Sequence, residues 1–367
     1  MDGYAVRGDD ISEAGPSTPV ELSVKSVIHA GEQPGSKVEK GEAIRIMTGA
    51  PVPPGADSVV RVEDTDSENA PGTVRVLKNR DRNRNIRPAG QDMRLGEGVL
   101  EAGVTITPAI VGLLAAVGME KILVVKRPSV AILPTGDELR TPERYDDVKR
   151  GMGVPESNGP MVAAAVTGAS GVPISLGIAK DDPEALQTRI SEAADADILI
   201  TIGGASMGEA DLVKTILEGC GFHQDFWRVR IRPGSPFGFG KLPREGRYQP
   251  VFSLPGNPTS AFVTFELLVR PFLLAMGGHR KIFRRSVRCQ AAELLKGPGE
   301  LSHFLRVRLD SSTVPPKAHI TGTQGSGLIT TLADADGLAV VPDTETEITA
   351  GDPVDVILLS DTPGAES

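Results

Sequence analysis

The stretch Ala196-Asp197-Ile198-Leu199-Ile200-Thr201-Ile202-Gly203-Gly204-Ala205-Ser206-Met207-Gly208-Glu209-Ala210-Asp211 decides the fold. A short apolar, β-branched run ends in a glycine pair, a small polar loop and a third glycine. Leu212-Val213-Lys214-Thr215-Ile216-Leu217-Glu218 then has helical spacing, and Gly219 closes it. Strand, turn and helix in that order is the unit from which parallel α/β sheets are built. Gly203 and Gly204 let the backbone approach a ligand closely, and free N–H groups at the helix start favour an anion. A carboxylate at Asp211 would repel a plain phosphate; it suits a site in which a cation or a proton transfer also takes part. The other reading is a tight βα turn with an Asp capping the helix. Gly203, Gly204 and Gly208 do not fit G-x-G-x-x-G, and no Gly-Lys-Ser/Thr follows as a P-loop requires.

The same alternation extends outward on both sides. Ser129-Val130-Ala131-Ile132-Leu133 is a buried-type strand leading into Pro134-Thr135-Gly136-Asp137-Glu138-Leu139. An Ala-rich helix follows Glu156-Ser157-Asn158-Gly159-Pro160, and Val172 to Ile178 is a second strand. In Lys180-Asp181-Asp182-Pro183, Asp182 reads as an N-cap and Pro183 as the first helical residue, which leaves Asp181 without a structural task. Trp227 to Ile231 and Val251 to Leu254 are further strands, the latter entering Pro255-Gly256-Asn257-Pro258-Thr259-Ser260 and a long apolar helix. The expectation is a doubly wound, mostly parallel sheet with its ligands off the carboxyl ends of the strands. Thr135 to Glu138, Lys180-Asp181, Gly203 to Asp211 and Pro255 to Ser260 all fall at such ends.

Flanking segments are strand-like. Val20 to Val24, Ala43 to Met47 and Ser58 to Val62 predict a small N-terminal β-domain, with Met47 to Gly55 a proline-rich loop. Asn79 to Arg87 reads as a solvated basic turn, and Asp92 lies in the loop after it. Pro108 to Met119 reads as a helix. From Arg280, strand patterns return at Ser286 to Cys289, Phe304 to Leu309 and Gly337 to Val341. The predicted division is 1–88, an N-terminal β-domain; 89–126, a linking segment with a helix; 127–278, the α/β domain; and 279–367, a C-terminal β-domain.

The 367 residues have net charge −9 and no long basic run, which argues against nucleic acid as a partner. Two cysteines, Cys220 and Cys289, build no disulfide framework, and five scattered histidines offer no metal-ligand spacing. A reducing cytoplasm is expected. Ser260 to Met276 is the longest apolar helix-like stretch, but Glu266 and Arg270 interrupt it, so no membrane span is expected.

The chain resembles the molybdopterin molybdenumtransferase family, the MoeA proteins whose eukaryotic relatives include the gephyrin E domain. The matching stretches are Met1 to Arg7, Met47 to Pro53, Ala89 to Asp92, Thr135 to Leu139, Ser157-Asn158 and Lys180 to Pro183. Gly203 to Asp211, Arg232 to Gly234, Phe239 to Lys241 and Leu254 to Pro258 complete them, in the family's order. The resemblance implies a MogA-like α/β domain flanked by the N-terminal β-domain and a C-terminal β-barrel-like domain. It also implies a reaction: adenylylated molybdopterin and molybdate give molybdenum cofactor and AMP, with Mg²⁺ assisting.

By the same resemblance, Asp211 and Glu138 would hold the metal, with Asp181 beside the phosphoanhydride. Arg228 and Arg232 would offset the anionic charge of substrate and molybdate. Asn158, Gly203, Gly204, Ser206, Pro255 and Pro258 would bind pterin and phosphate. Asp2, Thr48 and Asp92 would complete the site from the other side, in a homodimer from the second subunit. A molybdopterin adenylyltransferase and apo-molybdoenzymes are the implied protein partners. Two departures stand out. The family has several dozen residues before its Met-Asp-Gly-Tyr motif, so a truncated chain with a weakened dimer is expected. Ser235 also stands where the family often has a second lysine. The competing functions are adenylylation of molybdopterin, which shares the α/β domain alone, and a non-catalytic scaffold. Molybdate and tungstate, equal in charge and similar in size, are not separable from the sequence.

Overall fold

The computed structural model describes residues 1–203 and 211–360, and the chain divides into two units, Met1–Glu101 and Ala102–Ser367. In the first unit, strands β1 (Gly3–Val6), β2 (Val20–Ile28), β3 (Glu42–Ile46), β4 (Ser58–Arg61) and β5 (Thr73–Val76) form one sheet. Their order is β4-β1-β3-β2-β5, so β1 sits inside the sheet and is buried along its whole length. Tyr4 and Val6 face one apolar cluster and Ala5 the other, the period-2 alternation of a strand covered on both sides. The turn at 79–87 is not simply solvated, contrary to the sequence expectation. Asp81 is 1% exposed and accepts from Arg61 Nε at 2.9 Å and Nη2 at 2.8 Å. Arg80 reaches back to the equally buried Asp64, also in two-pronged fashion. The run supplies one arginine to a buried acid and one buried acid to an arginine of β4, a pattern that local sequence does not announce.

The second unit opens with α1 (Pro108–Ala116), capped by Thr107. Then come β6 (Ser129–Pro134), the short pair β7 (Leu139–Arg140) and β8 (Val154–Pro155) around α2 (Tyr145–Lys149), and α3 (Asn158–Gly168). After these follow β9 (Val172–Ser175), α4 (Pro183–Glu192), β10 (Ile198–Ile202), α5 (Asp211–Gly219) and β11 (His223–Phe226). A two-residue β12 (Ile231–Arg232) precedes the hairpin β13 (Gly238–Arg244) and β14 (Arg247–Leu254). A helical run, α6 (Pro258–Thr264), a π-turn at Phe265–Val269 and α7 (Arg270–Met276), closes the α/β part.

The sheet order is β11-β13-β14-β10-β6-β9, with β14, β10, β6 and β9 mutually parallel. Along β10, Ile198, Ile200 and Ile202 join the cluster under α3, α6 and α7, while Leu199 joins that under α4 and α5. This two-sided burial explains why the strand reads as a continuous apolar run. Asp197 sets the register of β10 against β6, accepting from both the backbone N–H and the hydroxyl of Ser129 at 2.8 Å. The strand expected at Trp227 to Ile231 is corrected: pairing stops at Phe226 and resumes only at Ile231. A register shift between Gln224 and Phe226 turns the chain out of the sheet, and the Trp227 indole then lies against Gly238, leaving no room there for a Cβ.

The helical run 258–276 is long and apolar enough to cross a membrane, but 67% of it is buried inside the protein. Its Glu266 accepts from Arg284 Nε at 2.8 Å, so it is a core helix with an internal ion pair.

The remaining strands are β15 (Ser286–Ala291), β16 (Leu295–Lys296), β17 (Ser302–Asp310), β18 (Lys317–Ile320), β19 (Gly337–Val341), β20 (Glu347–Ile348) and β21 (Pro353–Leu358), with α8 (Thr330–Ala333) between β18 and β19. The cycle β17-β18-β15-β21-β19 returns to β17, which closes a barrel. The expected C-terminal β-barrel-like domain and doubly wound α/β domain are both present. β12 pairs in parallel with β17, so the α/β part and the barrel share a strand contact.

Candidate active site

In the α/β sheet the chain leaves β6 for β9 on one side and returns to β10 on the other. The reversal opens a crevice between the carboxyl ends of β6 and β10, the place where open α/β sheets bind ligands. Three backbone segments close on that crevice. Thr135 N donates to Ile202 O at 2.9 Å, and Gly136 N to Ala179 O at 3.1 Å. Gly203, at φ +101°, donates to Leu254 O at 3.1 Å, and a Cβ there would stand 2.7 Å from Thr135 O. Only glycine combines that dihedral with that approach. Gly256 passes close to the Gly203 Cα in turn. Gly204 and Ser206 lie outside the described residues.

Acidic groups ring this floor. The Glu138 carboxylate folds over Gly136, whose missing Cβ leaves it the space. Asp137 and Asp181 face each other across the ends of β6 and β9: Asp137 N donates to Asp181 Oδ2 at 3.4 Å, and Asp181 N to Asp137 Oδ1 at 3.3 Å. These contacts are long, and both residues are exposed. Asp182 next door caps α4 through Ala185 N at 2.8 Å, as its sequence position predicted. None of Asp137, Glu138 and Asp181 pairs with a Lys or Arg among the described residues. Asp211 opens α5, but its side chain falls outside the description. No group of three metal-binding side chains occurs among the described residues. Oxygen-only donors nevertheless suit a hard divalent cation, and Mg²⁺ commonly needs only one or two carboxylates beside substrate phosphates.

Asn158 begins α3 and is buried. Its Nδ2 donates to Gly256 O at 2.6 Å, tying α3 to the loop that holds the buried Pro255 and the half-buried Pro258. Its Oδ1 has no partner among the described residues. Glu156, which sequence reading passed over, accepts from Gly159 N at 2.6 Å; burial pushes its carboxyl up, against the opposing backbone bonds from Gly159 and Asn158.

Arg228 and Arg232 are exposed on the segment between β11 and β13. Arg232 precedes Pro233 and Gly234; Gly234, at φ +103°, packs against Thr264 and Ser260 of α6. Ser235 uses its carbonyl to accept from Val229 N at 3.1 Å and Phe237 N at 3.0 Å, the work of a turn residue.

Within the first unit, Asp2 and Thr48 come together as the sequence suggested. Asp2 Oδ1 accepts from Thr48 N at 2.8 Å and Thr48 Oγ1 at 2.9 Å, and these bonds hold its carboxyl below the usual range. Asp92 is exposed in a loop of the same unit. Asp137 was open to discovery, because it stands between Gly136 and Glu138 at a strand end; Glu156 carried no comparable signal.

Comparison with known proteins adds whole-chain matches. Residues 1–118 match the MoeA N-terminal region (domain I and II), 131–275 a probable molybdopterin binding domain, and 288–359 the MoeA C-terminal region (domain IV). Molybdopterin molybdenumtransferase 2 of Mycobacterium tuberculosis is 35% identical over 357 residues, 96% of this chain and 85% of that one. Molybdopterin molybdenumtransferase of Nostoc sp. is 35% identical over 363 residues, 98% of this chain and 82% of its own. A crystal structure of the molybdopterin biosynthesis MoeA protein from Pyrococcus horikoshii superposes with TM-score 0.80 at 27% identity, covering 98% of this chain and 86% of that one.

Proposed function

The chain belongs to the MoeA family of molybdopterin molybdenumtransferases, and on that premise we propose how its residues serve the reaction. It is a transferase that inserts molybdenum during molybdenum cofactor biosynthesis. The substrate is adenylylated molybdopterin, molybdate is the incoming oxyanion, and AMP leaves. Adenylylation itself is the weaker reading, because the match runs through the N- and C-terminal regions as well as the α/β domain. The observation that carries the site is the glycine-floored crevice at the β6/β10 reversal, ringed by carboxylates that have no cationic partner among the described residues.

Gly203 would let the phosphates approach the backbone, and Asn158 anchors the Gly256 loop on which the pterin would lie. Glu138 and Asp211 would hold Mg²⁺, which when bound supplies charge neutralisation at the phosphoanhydride. Asp181 and Asp137 would orient water at the bond that breaks. Arg232, and Arg228 near it in the chain, would attract the molybdate dianion. Asp2, Thr48 and Asp92 are proposed to complete the site from a second copy of the chain. Support for a homodimer comes from α1, an apolar helix with no buried residue, whose Val111 is 55% exposed. An adenylyltransferase would hand over the substrate, and apo-molybdoenzymes would receive the cofactor, in the cytoplasm. The test is anaerobic incubation of the protein with adenylylated molybdopterin, molybdate and Mg²⁺. AMP release that requires both molybdate and protein is the expected result; no molybdate-dependent AMP would overturn the reading.

A further inference from the structure

Where β12 meets the barrel, Arg232 and His303 stand side by side, and neither pairs with an acid among the described residues. Arg232 and His303 are register partners across the parallel β12–β17 pair. Arg306 lies three residues along β17, fully buried and on the strand's opposite face, so it acts on His303 through its charge alone. Among the described residues its guanidinium donates only to neutral oxygens, Thr331 Oγ1 at 2.9 Å, Thr323 O at 3.0 Å and Gly325 O at 3.2 Å, and its Nη1 has no partner there. Neither Arg232 nor Arg306 forms an ion pair among the described residues. His303 is 9% exposed, and its Nδ1 lies 2.9 Å from Lys296 O. A carbonyl only accepts, so Nδ1 carries the hydrogen and Nε2 holds the lone pair. Nε2 has no hydrogen-bond partner among the described residues.

The surroundings of His303 are cationic or neutral from each side that packs on it. Arg232 comes from β12, Arg306 from its own strand and Lys296 from β16 through its carbonyl, while the register partner on β19 is the apolar Val341. Just past β19, Asp343 is engaged by Arg230 at 3.3 Å. Burial, then Arg232 and Arg306, hold the imidazole below its ordinary range against the single opposing bond to Lys296, so in the free protein the ring is neutral.

We infer that His303 belongs to the oxyanion site at Arg232 and takes a proton at Nε2 from solvent when a dianion binds there. This rests on the reading of Arg232 given above. An incoming dianion cancels the repulsion from the two guanidiniums and supplies an acceptor for the new N–H. The complex thus gains one proton, which leaves solvent and stays on the ring. Affinity for the dianion must then rise as pH falls, by up to about tenfold per pH unit.

The test is calorimetric titration of the whole protein with molybdate alone between pH 6.5 and 8.5, in buffers of different ionisation enthalpy. Wild-type protein should take up close to one proton at the upper end of the range where it binds. His303→Asn keeps the donation to Lys296 O but does not titrate, and should bind with no uptake and a flat pH profile; His303→Gln serves if the first variant melts early. Arg232→Ala should lose binding tenfold or more. Unchanged uptake in His303→Asn, or none in wild type, overturns the inference while leaving Arg232 in place. Wild-type affinity in Arg232→Ala overturns the anion-site reading itself.

Discussion

Asp81 shows how much one buried carboxylate decides. Burial alone would raise its carboxyl, but the side-chain and backbone hydrogen bonds from Arg61, with help from Asn85, bring it down to about 2. Because the folded value lies below the unfolded one, the stabilisation is complete above the ordinary carboxylate range near 4. It is lost as pH falls from about 4 through 2. Asp81→Asn should cost on the order of 2 kcal/mol at neutral pH. It should also flatten the acid side of a plot of melting temperature against pH; an unchanged acid limb would refute the clamp. At the crevice, Glu138→Gln and Asp211→Asn should each slow AMP release a hundredfold or more, since each removes a proposed ligand of the cation that would neutralise the phosphoanhydride, a loss of several kcal/mol. Melting should stay close to wild type in Glu138→Gln, whose side chain is exposed. A stable variant of either kind with full AMP release would sink the metal assignment.

Among the elements, Asp181 and Asp182 are neighbours with opposite expected behaviour. Asp182 caps α4, so Asp182→Ala should cost about 1 kcal/mol in thermal stability and leave AMP release nearly unchanged. Asp181→Ala should do the reverse, and thermal scans beside AMP assays separate the two. This pair was legible in sequence because Asp-Pro at a helix start announces its cap and exposes the extra acid. β10 was equally legible, being apolar on both faces and ended by glycine. Trp227 to Ile231 was not: it has strand-forming residues, yet the register shift before it and the indole on Gly238 take it out of the sheet. Tertiary contacts also made the 79–87 turn a clamp, through acids whose partners lie sixteen and twenty residues away in the chain. His303 gave no sign in sequence, because its significance depends on standing opposite Arg232 across two strands.

For the molecule as a whole, α1 sets the test of assembly. Its Pro-Ala-Ile-Val-Gly-Leu-Leu-Ala-Ala run is apolar all round, a composition that normally belongs to a covered helix. Val111→Lys should shift a homodimer to monomer in sedimentation at micromolar concentration and reduce AMP release with it; an unchanged dimer would place the contact elsewhere. The fold-level expectations held because alternation of strands and helices is written locally. The proposed site residues fall into two groups, those of the crevice in the α/β sheet and Asp2 with Thr48 in the first unit.

The closed barrel has a consequence for the order of events during synthesis. β15, its first strand, is hydrogen-bonded to β21, its last, from Ser286 opposite Ile357 to Gln290 opposite Pro353. The ring is therefore unfinished until residues beyond 353 have cleared the ribosomal exit tunnel, while every strand of the α/β sheet has emerged by Leu254. The nascent chain can shape its crevice early, but Arg232 and His303 meet only when β17 is held in the ring. Ring closure, a step of long sequence separation and hence slow, is thus the last event in building the proposed anion site.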